Sequence, residues 1–151
     1  MIRQATAADV SAIVDMARLF YGTTDYRKWA DFNEETVKAL AETLAKDHVL
    51  LVADEGGELK GMVALFVAPF MFNSELKAAY EVAWWVNPDS QGIGVGKALL
   101  AAIEPACKAM GCTAIQMVHL STSPPQAAAI YESMGYAHTE SSFTRIVKWQ
   151  Q

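Results

Sequence analysis

The chain has 151 residues, of which 52% are hydrophobic and 19% charged, and a formal net charge of -5. That length predicts one domain over residues 1–151 with a real core, and the composition excludes a disordered chain. The acidic balance argues against a nucleic-acid partner, which wants a basic face, and no apolar run approaches the ~20 residues of a membrane span. The start Met1-Ile2-Arg3-Gln4-Ala5-Thr6 has no secretory apolar region. Cys107 and Cys112 lie on or just past one helix and read as free thiols in a reducing compartment, so a cytoplasmic location is expected. No Cys/His spacing reads as a metal site.

In chain order, Ile2 to Gln4 forms a short first strand. Thr6-Ala7-Ala8-Asp9 starts a helix with an acidic residue in its first turn, and Val10, Ile13, Val14 and Ala17 keep helical spacing. The segment from Phe20 to Phe32 is an aromatic-rich loop. Asn33 caps a second helix, whose buried stripe is Val37, Leu40 and Leu44. His48 to Asp54 and Leu59 to Ala68 are strands around the turn Glu55-Gly56-Gly57-Glu58, and Pro69 stops the second of them. Pro69-Phe70-Met71-Phe72-Asn73 is an apolar loop, either a pocket rim or a subunit interface. Leu76 to Val86 is the next strand.

A helix follows from Val95 to Met110, closed by Gly111, with a kink or early break at Pro105. Thr113 to Leu120 is a strand. Ser123 caps a helix with Pro124 at its first position, and Gly135 ends it. Tyr136 to Trp149 supplies the last strands. The order β-α-α-β-β-β-α-β-α-β is α+β, with a mixed, mostly antiparallel sheet and about four helices.

The segment Gln91-Gly92-Ile93-Gly94-Val95-Gly96-Lys97 joins an apolar strand to a helix. Glycines let the backbone approach a ligand closely, and free N–H groups at a helix start favour an anion. The ligand class is therefore a phosphate or pyrophosphate. Glycines at 92, 94 and 96 miss G-x-G-x-x-G, because Lys97 stands where glycine is needed. Gly96-Lys97 fits the end of a P-loop, but Ala98 replaces the hydroxyl and Gln91 the first glycine.

The segment does fit Q/R-x-x-G-x-G/A through Gln91, Gly94 and Gly96, after Val86 and Pro88. It resembles the pyrophosphate loop of the GNAT N-acetyltransferases, which use acetyl-CoA. Ala127-Ala128-Ala129-Ile130-Tyr131-Glu132-Ser133-Met134-Gly135-Tyr136 is similar to the late helix of the same family. Trp84-Trp85-Val86 and Ser123-Pro124-Pro125 resemble bacterial and phage members.

The resemblance implies acetyl-CoA as co-substrate, no metal, and two neighbouring strands, 76–86 and 113–120, that splay to hold the pantetheine arm. It implies pyrophosphate binding by Gln91 and the amides of Gly92, Ile93, Gly94, Val95, Gly96 and Lys97. Lys97, Lys108 and Lys60 are the candidate cations for the anionic co-substrate. Trp85 and Val86 would offer backbone hydrogen bonds along a strand edge, with the Val86 N–H polarising the thioester carbonyl.

Acetyl transfer must remove a proton from the amine and supply one to the thiolate. Glu81, ten residues before Gln91 in an otherwise apolar strand, is the candidate base; the alternative is a strand glutamate paired with a surface lysine or facing solvent. Burial there would raise its pKa. Tyr131 matches the tyrosine that reaches the CoA sulfur in similar enzymes and is the candidate acid; the alternative is packing with Ala127, Ile130 and Met134. Many members carry asparagine seven residues earlier, where this chain has Pro124, with Ser121 and Ser123 as candidate substitutes. Strand alternation puts Trp85 on the face of Glu81 unless a bulge intervenes.

Tyr26, Trp29, Asp25 and Asp31 belong to the loop expected over the acceptor site, where a carboxylate would meet a cationic amine. His119 is a further candidate for proton transfer, and a structural histidine is its alternative reading. Cys107 reads as buried packing. The expected activity is transfer of acetyl to a primary amine of a small molecule or peptide. Alternatives are a non-catalytic acyl-CoA-binding module or a protein or aminoacyl-tRNA acetyltransferase. The acceptor is open, and so is the oligomeric state, a homodimer being common in the family.

Overall fold

The computed structural model describes residues 1–148. Five strands form one sheet in the order β1-β2-β3-β4-β5: β1 (Ile2–Gln4), β2 (Val49–Glu55), β3 (Glu58–Phe70), β4 (Asn73–Val86) and β5 (Cys112–Gln116). The first three pairings are antiparallel and β4–β5 is parallel. The helices are α1 (Val10–Gly22), α2 (Glu34–Asp47), α3 (Val95–Ala109) and α4 (Gln126–Ser133). The fold is α+β, with a mixed, mostly antiparallel sheet and four helices.

Alternation along β2 decides the layers. Leu50 and Val52 point to one face and meet Ile13, Val14, Ala41 and Leu44 of α1 and α2. Val49, Leu51 and Ala53 point to the other and meet Leu99, Leu100 and Ile103 of α3 and Tyr131 of α4. A strand buried on both faces reads as the unbroken apolar run seen at 49–53.

The helix starts have local causes. Thr6 N–H donates to Asp9 Oδ2 at 2.8 Å, and Asp9 also pairs with Arg3 at 2.7 Å, which ties the entry of α1 to β1. Asn33 Oδ1 accepts from Thr36 N–H at 2.9 Å and caps α2. At the β2–β3 turn Gly56 and Gly57 take φ of 62° and 91°, the pair of left-handed residues that a two-residue hairpin of this hand needs.

Several expected boundaries move. α1 continues through Phe20 and Tyr21 to Gly22, and the loop beyond holds a short 3-10 turn, Asp25–Lys28. Pro69 does not stop β3, which pairs Pro69 with Lys77 and runs to Phe70. The reason is the edge it faces. Val67 N–H points away from β4 and donates to His48 Nδ1 at 3.0 Å, so the missing N–H of Pro69, two residues on, lies on the same free side. β4 accordingly begins at Asn73, and the expected apolar loop shrinks to the hairpin tip Met71-Phe72.

Pro105 neither breaks nor ends α3, which continues to Ala109. The carbonyl it leaves unpaired belongs to Ala101, an exposed residue, so the lost bond strands no buried polar group. β5 ends at Gln116 rather than Leu120, and α4 begins at Gln126 with Pro125 at its cap. Ser123 instead closes a turn, its Oγ accepting from Leu120 N–H at 2.9 Å. The last strands expected from Tyr136 to Trp149 are absent over 136–148, and Trp149 lies outside the described residues. Strand propensity needs a partner ladder. Among the described residues the segment's side-chain tie to β5 is one hydrogen bond, Gln116 to Glu140 at 2.9 Å, and Phe143 is 97% exposed.

Candidate active site

The site forms where two parallel strands part. β4 and β5 pair from Lys77–Cys112 to Tyr80–Gln116 and no further, while β4 runs on to Val86. Residues 81–86 therefore present an edge without a β5 neighbour. The splay expected between 76–86 and 113–120 is present, and it starts at Glu81.

A bulge sets what points into it. Ala64 pairs with Ala83 and Leu65 with Glu81, so Val82 is an extra residue on β4. Ala83 and Trp85 pack with α1 and α2, whereas Trp84 and Val86 pack with α3 and Tyr131. Glu81 shares the α3–α4 face, shown by its bond to Tyr131. The expectation of Trp85 on the side of Glu81 is thus overturned, and Trp84 takes that place. Trp85 meets Phe20 edge-on at 6.4 Å, and its Nε1 donates to Asn87 Oδ1 at 2.9 Å.

Glu81 and Tyr131 meet. The Tyr131 hydroxyl lies 3.4 Å from Glu81 Oε1 and 3.0 Å from the Val118 carbonyl oxygen. Burial pushes the Glu81 carboxyl up to about 8; the Tyr131 hydroxyl and the Val118 backbone pull weakly the other way. Tyr131 is raised above the usual phenol range by burial, and then by the nearby Glu81. The reading of Glu81 as a strand glutamate paired with a lysine finds no such pair among the described residues. Tyr131 is also core, 7% exposed, with its ring tilted against those of Trp84 at 5.6 Å and Tyr136 at 5.9 Å.

The glycine segment stands at the start of α3. Gly92 and Gly94 take φ of 79° and 93°, which side-chain-bearing residues avoid. The first intrahelical bond is Ala98 N–H to Gly94 O, at 3.0 Å. The amides of Val95, Gly96 and Lys97 precede it and have no acceptor within the helix. A Cβ on Gly96 would come within 3.2 Å of the Trp84 ring, so the helix packs tightly on β4 there. Trp84 Nε1 is buried with no acceptor among the described residues. The free amides at the helix start suit an anion of the size of a pyrophosphate. Gln91 is exposed and donates from Nε2 to Val86 O at 3.1 Å, Ile93 is 72% exposed, and the Lys97 side chain is exposed.

Lys108 is ion-paired to Glu104 at 2.7 Å, three turns from the loop, and Lys60 to Glu58 at 3.1 Å. Lys97 alone of the three candidates lies on the loop. Asn87, which sequence reasoning passed over, pins the approach to the loop: its N–H donates to Lys60 O at 2.9 Å and its Nδ2 to Leu59 O at 3.1 Å.

The residues expected at the acceptor side lie on two loops that meet. Ser121 Oγ donates to Asp25 Oδ2 at 3.4 Å, linking the α1–α2 loop to the segment after β5. Asp25 also pairs with Lys28 at 3.2 Å. Tyr26 and Trp29 pack edge to face at 5.1 Å and stay 38% and 56% exposed, and Asp31 is exposed. His119 is exposed in the loop after β5, with Nε2 3.4 Å from Pro124 O and no bond to Glu81 or Tyr131. Ser121 Oγ donates to Asp25, whereas Ser123 Oγ accepts from Leu120 N–H and keeps its own hydroxyl hydrogen, so of the two candidate substitutes for the asparagine absent at Pro124 it is Ser123 that retains a donor. The Met71-Phe72 tip lies eight or more residues from Glu81 along β4, roughly 25 Å, too far to rim the pocket. Cys107 is buried, as the packing reading requires, and the described residues contain no group of three His, Cys, Asp or Glu placed to hold a metal ion.

Residues 12–136 match the sequence profile described as "Acetyltransferase (GNAT) family". The chain is 31% identical over 144 residues to Aminoglycoside N(6')-acetyltransferase type 1 of Stenotrophomonas maltophilia, spanning 92% of this chain and 87% of that protein. Among solved structures, a transcriptional regulator from Bacillus halodurans C-125 superposes with a TM-score of 0.77 at 22% identity, covering 97% of this chain and 99% of that one. An aminoglycoside acetyltransferase from an uncultured soil metagenomic sample, in complex with sisomicin, gives 0.73 at 17% identity, with 99% and 96% covered. At those identities the structural likeness carries the fold alone.

Proposed function

The chain belongs to the GNAT acetyltransferase family, and on that premise we propose that it transfers acetyl from acetyl-CoA to a primary amine of a small molecule, by direct attack on the thioester and within one domain. The observation that carries this reading is the contact of Glu81 with Tyr131 at the fork of β4 and β5, on the sheet face that also supports the glycine loop. A carboxyl raised to about 8 is matched to proton abstraction near neutral pH.

Bound acetyl-CoA supplies the activated acyl carbon. Gln91 and the amides from Gly92 to Lys97 hold the pyrophosphate, and the free edge at Trp85-Val86 bonds the pantetheine arm. Glu81 takes a proton from the amine. The Val86 N–H polarises the thioester carbonyl, and Tyr131 gives its proton to the leaving sulfur. The similarity to the S. maltophilia aminoglycoside acetyltransferase supports an aminoglycoside amine as the acceptor. The exposed Asp25 and Asp31, with Tyr26 and Trp29 beside them, offer the charge and ring surface such a cationic sugar needs.

The test is calorimetric titration of the protein with acetyl-CoA, using CoA and NADH as comparators, then an amine panel with thiol detection. Micromolar binding of acetyl-CoA but not NADH, with thiol released by one or more aminoglycosides, is expected. No acetyl-CoA binding would overturn the cofactor assignment. Binding without turnover on any amine would leave the acyl-CoA-binding module as the better reading.

A further inference from the structure

We propose that Glu81, Tyr131 and the Val118 carbonyl form one proton relay, in which Glu81 resupplies the Tyr131 hydroxyl as that hydroxyl protonates the leaving thiolate. This rests on the acetyl-transfer reading above. It replaces a separate base and acid with a single unit.

The argument starts from the hydrogen count. A phenol has one hydrogen and serves one acceptor at a time. Tyr131 has two within reach, the Val118 carbonyl at 3.0 Å and Glu81 Oε1 at 3.4 Å. A carbonyl oxygen only accepts, whereas a carboxyl group accepts when ionised and donates when protonated. With Glu81 ionised, the Tyr131 hydrogen is drawn to the carboxylate. With Glu81 protonated, its own hydrogen goes to Tyr131 Oη, and the Tyr131 hydrogen turns to Val118. The charge on Glu81 therefore sets where the Tyr131 hydrogen points: with Glu81 neutral it is released from the carboxylate, to Val118 in the free enzyme and to the leaving sulfur once acetyl-CoA is bound.

This arrangement answers a difficulty of the separate-acid reading. A buried tyrosine that gives up its proton alone leaves a phenolate beside Glu81, which burial disfavours. A protonated Glu81 next to it removes the phenolate as it forms. The ammonium form of the acceptor first loses one proton to water. As the C–N bond forms, the amine's second proton goes to Glu81. As the C–S bond breaks, the Tyr131 O–H bond breaks toward sulfur and the Glu81 proton passes to Tyr131 Oη. The products are the amide and the free thiol, and the enzyme returns to ionised Glu81 and neutral Tyr131. No electrons are exchanged and no further reactant is needed.

A relay and two independent groups differ in how their losses combine. Independent contributions of ~10²–10⁴ each multiply in the double variant. In a relay, removing either member breaks the same path, so the second removal costs little more. The experiment compares kcat/KM of Glu81→Gln, Tyr131→Phe and the double variant. Beside it, NMR of the side-chain carboxyl carbons follows the Glu81 titration in the free wild-type protein and in Tyr131→Phe.

The double variant is expected within about threefold of the worse single variant. The Glu81 titration is expected to move upward in Tyr131→Phe, because the lost hydrogen bond favours the ionised form. A tyrosine that only packs would leave that titration in place. Losses that multiply, or an unmoved titration, overturn the relay while leaving the acetyltransferase reading intact. Two single variants with wild-type turnover overturn the relay and the acid and base roles of its members, while a wild-type protein without acetyl-CoA binding overturns the acetyl-transfer reading as well.

Discussion

The raised carboxyl of Glu81 makes the pH dependence of turnover the sharpest consequence of the site. With an apparent value of about 8, roughly one-tenth of the enzyme carries ionised Glu81 at pH 7 and nine-tenths at pH 9. A base must be ionised to accept a proton, so kcat/KM rises about tenfold between pH 7 and pH 9, with unit slope below the inflection. The groups facing Glu81 are the Tyr131 and Tyr136 hydroxyls and the Val118 backbone, and no cation pairs with it among the described residues. Nothing there returns the carboxyl to its ordinary range. The acceptor's own ammonium also titrates, so the assay runs two amines of different basicity through thiol release over pH 5.5–10. The limb that moves with the amine belongs to the substrate, and the limb that stays near 8 belongs to Glu81. Glu81→Gln should erase that fixed limb and lower kcat/KM at pH 8.5 by ~10²–10³. A Gln variant that keeps the inflection near 8, or a wild-type profile flat above pH 6, would refute Glu81 as the base.

The same shift has a stability counterpart. Because folding raises the Glu81 value from 4.5 to about 8, its contribution is fully present below the unfolded value and is lost as pH rises through 8; wild type should lose on the order of 3–5 kcal/mol relative to Glu81→Gln from pH 4.5 to 8, read as diverging Tm values. Asp9 has the opposite sign. Arg3 holds it down to about 2, so the stability deficit of Asp9→Asn should be full above pH 4 and vanish as pH falls through about 2, followed by denaturant midpoints. Gly94→Ala places a side chain at φ 93°, costing ~1–2 kcal/mol, and should weaken acetyl-CoA binding several-fold by calorimetry. Gly57→Ala, at φ 91° on the β2–β3 turn, should cost similar stability and leave that affinity unchanged.

What was legible in the sequence follows the range of the physics involved. Periodicity and caps are local, so the α1 stripe at Val10, Ile13 and Val14 and the Asn33 cap stand where expected. The glycine loop is local too, because its backbone angles depend on Gly92 and Gly94 themselves. Pro69 was misread because a proline's cost depends on which edge its nitrogen faces, and that edge is decided by where β2 stops pairing, at Val49–Leu65. Pro105 was misread for a similar reason, since solvent on the Ala101 side is a tertiary fact. The strand pattern over Tyr136 to Trp149 carries propensity without naming a partner, and over 136–148 no partner ladder forms. Val118 was beyond reach, since a backbone carbonyl carries no signal in its residue type.

The bulge at Val82 is where one extra residue changes the chemistry. With strict alternation, Ala79, Glu81, Ala83 and Trp85 would share a face. Instead Ala79 lies on the α3–α4 face with Glu81, and Ala83 and Trp85 on the α1–α2 face. Had the bulge fallen before Glu81, the carboxylate would point toward α1 and α2 and away from Tyr131. Had there been none, Trp85 would take the face now held by Trp84, against which Gly96 packs. The bulge also marks where pairing with β5 has just ended, at Tyr80–Gln116, so the bend that aims Glu81 accompanies the opening of the cleft.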